Sequence, residues 1–220
     1  MRSPNELPKL KRDFVAALRI IHRQGLSDAF AHLSVRVAPQ KMLFMPRKSP
    51  ALVRARELFI VDFETRVPQS TVHQAIYQAR PDAQAVMHFH SPQVILLTVV
   101  GETVRPMHNY SAIFFDGVPV FDQPGQTETP EKAAQIAAAL GSRKAILLRG
   151  HGAVVAARNI PEVCMLSLYL EESARLQAEA MRLGTPKFLS REEAERISRA
   201  TFKPASTERA WHHFKALLGT

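Results

Sequence analysis

Apolar positions recur along the chain at two spacings, one typical of helices and the other typical of strands. Over residues 5–25, apolar side chains that include Phe14, Leu18 and Ile21 return every three or four positions, and Gly25 is placed to end this helix. The same spacing predicts further helices over residues 70–79, 92–100, 130–140, 161–181 and 207–218, and another after the capping box at 190–193. Alternating or short continuous apolar runs predict strands over residues 33–37, 42–45, 57–62, 85–90 and 144–148. Helices and strands mix without a regular β-α-β order, so we expect a layered α/β fold with a mixed or antiparallel central sheet.

The strand over 85–90 carries the first chemical signal, in the segment Ala85-Val-Met-His-Phe-His90. Side chains two positions apart in a strand point to the same face, so His88 and His90 are expected side by side. His151, in a Gly-His-Gly turn after the strand at 144–148, is the third candidate. Three imidazoles can hold a metal ion and leave one coordination position open for water or substrate. Spacing alone fits a hydrogen-bonded histidine pair in a polar cleft equally well, because His-x-His is a short and common pattern.

Composition limits the class of protein. The chain has 220 residues, of which 46% are hydrophobic and 22% charged, and this suits one compact domain or at most two small ones. A single cysteine, Cys164, rules out an internal disulfide framework and fits a reducing compartment. No apolar run approaches the ~20 residues of a membrane span, and the first residues lack the apolar core of a secretory signal. We therefore expect a cytoplasmic protein without a membrane partner.

The formal net charge of +9 raises the question of a nucleic-acid partner. The basic residues are spread along the chain, however, and only 9–12 and 46–48 are dense in them. The sequence holds no RNA-binding aromatic motif and no zinc-finger cysteine pattern. We expect no nucleic acid, and instead a basic cleft for a small anionic substrate, which needs only a few well-placed cations.

Four motifs in a fixed order resemble the class II aldolase/adducin family, over residues from about 8 to 180. They are Gly25-Leu-Ser-Asp-Ala-Phe-Ala-His-Leu-Ser-Val-Arg36, His73-Gln-Ala-Ile-Tyr-Gln-Ala-Arg-Pro-Asp82, Ala85-Val-Met-His-Phe-His90 and Leu147-Leu-Arg-Gly-His-Gly-Ala-Val154. The resemblance implies a single α/β/α layered domain over residues 1–220 with a central mixed, mainly antiparallel sheet. Residues 185–220 lie beyond the resemblance, and the helices predicted after the capping box and over 207–218 make them a helical C-terminal extension. The resemblance also implies a homotetramer whose active sites lie between subunits.

The family's three metal ligands fall on His88, His90 and His151. The resemblance therefore implies a divalent metal ion at these residues, with zinc favoured and manganese, iron or cobalt also compatible with three imidazoles. Neutral imidazoles leave the charge of the ion uncancelled, so the ion acts as a Lewis acid on a bound oxygen.

Other positions depart from the aldolase pattern. Gln69 stands where the aldolases carry an acid/base Glu, and an amide cannot take that proton at neutral pH. His32 replaces the Asn of the family's Gly-Asn-x-Ser motif, in which Ser34 is retained. The stretch that holds a substrate phosphate in the aldolases contains Arg47 and Lys48 here, which suit a carboxylate.

We expect Arg47, Lys48, Ser34 and His73 to bind substrate, although a solvated basic loop is the simpler interpretation of the two cations. His73 is also a candidate for a hydrogen bond behind the metal ligands.

The decarboxylase branch of the family resembles the chain most closely, through the segments at 46–53 and 117–121. The leading hypothesis is a metal-dependent carbon–carbon lyase that decarboxylates a small hydroxylated aromatic or heteroaromatic acid. His32, for which a pKa suited to proton donation is expected, or Tyr110 would protonate the resulting carbanion. Tyr110 is explained equally well as a packed aromatic side chain. The alternatives are an aldolase or epimerase acting on a small hydroxy-carbonyl compound, a non-haem iron oxygenase, and a non-catalytic adducin-like scaffold.

Overall fold

A computed structural model describes residues 6–65, 67 and 69–219 of the chain. Its described part contains one seven-stranded sheet in the order β3-β2-β1-β4-β7-β6-β5. The strands are β1 Ala31–Ala38, β2 Lys41–Phe44, β3 Phe59–Asp62, β4 Ala85–Phe89, β5 Val120–Phe121, β6 Ala145–Leu148 and β7 Gly152–Ala157. Every pairing is antiparallel except that of β5 with β6. The expected mixed, mainly antiparallel sheet is confirmed.

Helices cover both faces of this sheet. They are α1 Leu7–Arg23, α2 Thr71–Ala79, α3 Pro92–Val99, α4 Pro130–Leu140, α5 Ile160–Leu183, α6 Arg191–Thr201 and α7 Pro204–Ala216. On one face, buried residues of α1, α3, α5 and α7 form a core with alternate strand residues such as Met87 and Phe89. On the other, α2 and α4 pack over Val86, Ile146 and Val154. The three layers form the expected α/β/α arrangement. No helix in the described ranges combines the length and apolarity that a bilayer crossing requires.

Element boundaries follow the predictions closely, with three exceptions, one of which is the two-residue strand β5, where no strand was predicted. The strand predicted over 57–62 is wrong in its first part, because Ala55–Glu57 forms a 3-10 turn and β3 begins at Phe59. The Glu57 carboxylate closes that turn by accepting the backbone N–H of Arg54 at 2.7 Å. Strand β7, for which no element was predicted, follows directly on the Gly-His-Gly turn and pairs with β4 and β6. This pairing brings the two histidine-bearing segments together.

Candidate metal centre

Three histidine side chains meet at one end of the central strands. His88 lies on β4, His90 follows the end of that strand, and His151 lies in the turn between β6 and β7. Their potential ligand atoms all lie within 4.8 Å of one another, and the Nε2 atoms of His88 and His90 are 3.1 Å apart. The strand alternation predicted this pair on one face, and the pairing of β4 with β7 brings in the third member.

Gly152 permits the close approach of these segments. Its φ is +144°, a region that side chains with a Cβ rarely adopt. A Cβ at this position would lie 2.2 Å from the carbonyl oxygen of Phe89 and 3.0 Å from the Cα of His90. Only glycine therefore lets β7 begin against the end of β4, which keeps His151 beside His90.

The ring orientation of His88 leaves one nitrogen available to an ion. Its Nδ1 lies 3.0 Å from the carbonyl oxygen of Ala153, and a carbonyl only accepts, so Nδ1 carries the proton and donates. In the neutral ring Nε2 is then unprotonated and lies 3.1 Å from Nε2 of His90, so its lone pair can accept from His90 or bind an ion. A backbone carbonyl behind a ligating histidine is a common way to fix its tautomer.

Protonation states in the cluster also suit a cation. Burial lowers the pKa of His88 and His90, and burial together with the charges of His90 and Lys132 lowers that of His151 to about 4. All three rings are neutral at neutral pH. Among the described residues, Nδ1 of His151 is buried without a hydrogen-bond partner. Three neutral, converging imidazoles fit a divalent metal ion, and nothing in this donor set selects one metal over another.

His32 adds a fourth imidazole next to the three. It pairs directly with His88 across β1 and β4, and the two ring centroids are 5.3 Å apart. Burial, followed by the charges of His90, His151 and Arg47, lowers the pKa of His32 to about 4. The expectation of a pKa suited to proton donation at neutral pH is therefore wrong, since the ring is neutral there. Its Nδ1 is buried with no hydrogen-bond partner in the described part of the chain.

Ser34 and His73 lie behind the cluster, with their side chains hydrogen-bonded to each other. The Oγ of Ser34 lies 2.8 Å from Nδ1 of His73 and 2.9 Å from the hydroxyl of Tyr77. Ser34 and His73 are both completely buried, and the His73 ring is 6.1 Å from that of His32. Burial, with the charge of His32, holds the pKa of His73 well below its usual value. Because both side chains are buried, they are better placed to hold His32 in position than to contact a substrate directly.

The two cations of the 46–50 loop have different surroundings. Lys48 forms an ion pair with Glu57 at 2.8 Å. Arg47 is exposed, and no hydrogen bond or ion pair of its side chain is found within the described residues. Its charge is near enough to His32 to contribute to the lowered pKa there. Arg47 is thus the cation of this loop that remains available to an anion.

Within the described residues, neither Gln69 nor Tyr110 has a hydrogen bond or ring contact with the three imidazoles. Gln69 is in the turn before α2 with φ of 70°, unusual for a residue other than glycine. Tyr110 is 47% exposed, and its ring stacks on that of Tyr169 at 4.8 Å. It lines a cavity of about 700 Å³ with side chains of α5 and α7, and the three site histidines are not among the lining residues.

Two further residues shape the site and were not predicted. Glu171, on α5, accepts from the hydroxyl of Ser91 and from the backbone N–H groups of Gln93 and Val94, and so anchors the chain directly after His90. Phe30 is 58% exposed, and its ring lies 6.3 Å from that of His90. Neither has a local sequence signal, because each reaches the site through tertiary packing.

The chain is similar in sequence to two decarboxylases and an aldolase. The chain is 29% identical over 216 residues to a decarboxylase, tropJ, of Talaromyces stipitatus, covering 84% of this chain and 80% of that protein. It is 25% identical to a 3,4-dihydroxyphthalate decarboxylase of Arthrobacter keyseri, over 76% of this chain and 77% of the relative. It is 30% identical to L-fuculose phosphate aldolase of Escherichia coli, over 82% of this chain and 88% of that protein.

A solved structure and a family model cover most of the chain. The structure of an aldolase II superfamily protein from Pseudomonas syringae superposes with a TM-score of 0.86 at 22% identity, over 99% of this chain and 94% of that one. The family model described as class II aldolase and adducin N-terminal domain matches residues 12–178, which include all three converging histidines. The resemblance noted in the sequence is confirmed: the chain belongs to the class II aldolase/adducin family.

Proposed function

We propose that this protein is a metal-dependent carbon–carbon lyase that decarboxylates a small hydroxylated aromatic or heteroaromatic carboxylic acid. The observation that carries the proposal is the neutral three-imidazole cluster with an unpaired cation, Arg47, close by. A decarboxylase substrate brings a carboxylate that such a cation can hold. Two relatives, tropJ and the dihydroxyphthalate enzyme, are named as decarboxylases, which supports this branch of the family.

His88, His90 and His151 would hold the ion, and zinc is the metal we propose. The bound ion would supply Lewis acidity toward the oxygens of a hydroxy acid. Arg47 would bind a carboxylate of the substrate from the loop before β3. His32, neutral and directly beside His88, would hydrogen-bond to a substrate oxygen and orient it.

Loss of CO2 leaves an electron pair on carbon that must receive a proton. A neutral imidazole is a poor acid, so His32 is less suited to this step than the sequence indicated. The hydroxyl of Tyr110 is the other candidate. Because Tyr110 stacks on Tyr169 in a cavity that His88, His90 and His151 do not line, we propose that it serves the site of a neighbouring subunit.

That role requires an oligomer, and we propose a homotetramer. Three apolar side chains at the C-terminal end of α3 are exposed: Leu96 by 46%, Val99 by 60% and Val100 by 62%. A Cβ added to Gly150 would lie 4.0 Å from Cγ1 of Val99, so these exposed side chains border the turn that carries His151. Exposed apolar groups that adjoin a site are typical of subunit interfaces. Light scattering on the purified protein measures the mass directly. We also propose a cytoplasmic location, since a single cysteine, Cys164, fits a reducing compartment.

The test combines metal analysis with product detection. The purified protein is expected to contain about one zinc per chain and to release CO2 from a member of a panel of hydroxylated aromatic mono- and diacids. His88→Ala is expected to lose both the metal and the activity. His212→Ala, which alters a histidine 71% exposed on α7, is the matched control and is expected to keep both. Full activity and metal content in His88→Ala would refute the proposal.

The second candidate is an aldolase or epimerase on a small hydroxy-carbonyl compound, which the 30% identity to the fuculose phosphate aldolase favours. Gln69 in place of the aldolase Glu weighs against it, because the amide cannot act as an acid or base. Release of an aldehyde without CO2 from a hydroxy-carbonyl phosphate would select this candidate over the decarboxylase.

A further inference from the structure

Phe30 has an unusual position for a large apolar side chain. It directly precedes β1, in which Ala31 pairs with Phe89 and His32 with His88, so it is level with His90. Its ring is 6.3 Å from the His90 ring, tilted by 43°, and 58% of the residue is exposed. Burial in a core normally stabilises such a ring, and an exposed phenyl group contributes little to folding. The ring therefore forms an open apolar wall beside the proposed metal ligands.

The backbone under this ring is held by side chains on both sides. The N–H of Phe30 donates to the carboxylate of Asp28 at 3.0 Å, and its carbonyl accepts from the hydroxyl of Ser27 at 2.8 Å. The carbonyl oxygens of Ser27 and Asp28 lie 3.1 and 3.2 Å from Nδ1 of His22 on α1. The turn is thus fastened to the first helix, and Phe30 has a fixed base from which to contact a ligand.

Charged groups lie at different positions around the cluster. The carboxylate of Asp28 accepts the N–H of Phe30, so a negative charge lies at the base of this residue. Arg47 follows the end of β2, where the ring of Phe44 is 6.4 Å from that of His32, so a positive charge lies on the β2 side of the cluster. An anionic group of a ligand is repelled by Asp28 and attracted by Arg47, which leaves the space beside Phe30 for an uncharged part of the ligand.

We infer that Phe30 is a specificity-determining residue that contacts the aromatic ring of the substrate, with the substrate carboxylate directed toward Arg47. The inference rests on the proposed function and adds to it the residue that would favour aromatic over aliphatic hydroxy acids. Aromatic rings pair favourably at centroid separations of about 4.5–7 Å in tilted or offset arrangements.

The test measures binding to the full-length, zinc-loaded protein by calorimetry. The probes are 2-hydroxybenzoate and lactate, which share a hydroxyl and a carboxylate but differ in the ring. Phe30→Leu keeps an apolar side chain and is expected to weaken 2-hydroxybenzoate binding by about tenfold while leaving lactate and zinc binding unchanged. Phe59→Leu is the matched control, since Phe59 is also partly exposed but contacts Phe44 rather than a proposed metal ligand. It is expected to bind both probes as the parent protein does.

The outcomes separate this inference from the proposed function. Tight 2-hydroxybenzoate binding that Phe30→Leu leaves unchanged, or an equal loss for both probes, would overturn the role of Phe30 alone. Failure of the parent protein to bind either hydroxy acid would overturn the proposed function and this inference with it. A change in oligomeric mass in Phe30→Leu would show that a second copy covers the ring, and would also overturn the inference.

Discussion

Replacing Gly152 by alanine tests the structural basis of the metal centre. The added Cβ would lie 2.2 Å from the carbonyl oxygen of Phe89, and this oxygen belongs to backbone that cannot rotate away as a side chain would. Overpacking of this kind costs about 1–3 kcal/mol, and an unfavourable positive φ costs roughly 1–2 kcal/mol more. We expect Gly152→Ala to lose about 2–5 kcal/mol of unfolding free energy, which for a chain of this size lowers the Tm by roughly 4–20 °C.

The same change should weaken metal binding. To relieve the clash, the start of β7 must move away from the end of β4, and His151 moves with it. Displacement of one ligand in three is expected to reduce zinc affinity by about 10- to 100-fold. Urea unfolding of the metal-free protein, followed by circular dichroism, measures the stability term. Zinc competition against a chelating dye measures the affinity.

Gly184→Ala is the matched control. Gly184 also has a positive φ, +159°, but no heavy atom lies within 4 Å of its Cβ position, so it carries the backbone cost without the clash. It should retain parental zinc affinity and lose much less stability. Parental stability and zinc affinity in Gly152→Ala, or an equal loss of both in Gly184→Ala, would refute the argument from close approach.

Three further predictions concern protonation and burial. Burial lowers the folded-state pKa of the site histidines, to about 4 for His32 and His151, against 6.5 in the unfolded chain. The unfolded chain therefore binds more protons between these values, and the urea midpoint of the metal-free protein should fall as the pH drops from 6.5 toward 4; a flat profile would contradict this. Asp13 contacts Lys9 at 3.0 Å and Lys215 at 2.9 Å, and Asp13→Asn should cost about 1–3 kcal/mol at pH 7. Burial raises the pKa of Asp13, but the two lysines together lower it by more, so the folded-state pKa lies below the usual 3.8. The stability difference between Asp13→Asn and the parent should therefore disappear only as the pH falls below 3.8 and through the folded-state pKa. A difference that persists at lower pH would contradict the ion pairs. Cys164 is completely buried, which raises the pKa of its thiol, so Ellman's reagent should find no reactive thiol in the native protein and one after denaturation.

Local patterns predicted the elements and the histidine face well. The helix at 130–140 begins and ends where the capping Thr129 and Gly141 place it, and the alternation over 85–89 sends Met87 and His88 to opposite faces. Such features depend on a few neighbouring residues, so a sequence can carry them. His151 was a candidate third ligand from the sequence, and the family resemblance strengthened that expectation. The physical cause of its convergence on the pair, the pairing of β7 with β4, became visible only in the structure.

Features that depend on contacts between residues far apart in the chain could not be predicted from the sequence. The lowered pKa of His32 results mainly from burial among residues distant in the chain, including Phe44, His73 and His88, and no local motif encodes it. Glu171 is 80 residues from Ser91 in the chain, yet its carboxylate accepts a hydrogen bond from the hydroxyl of that serine. Phe30 would ordinarily be assigned to a core by its hydrophobicity, whereas the structure exposes it beside His90.

The different surroundings of Arg47 and Lys48 bear on how easily this site can acquire a new substrate. Lys48 forms an ion pair with Glu57, whose carboxylate also closes the turn before β3. Replacing Lys48 therefore disturbs the loop. Arg47 carries no such structural duty within the described residues. Selection, or an engineer, can therefore change the charge presented to the ligand at position 47 while the loop keeps its shape. Adjacent basic residues of the same loop thus differ in evolvability, one constrained by folding and the other free to follow the substrate.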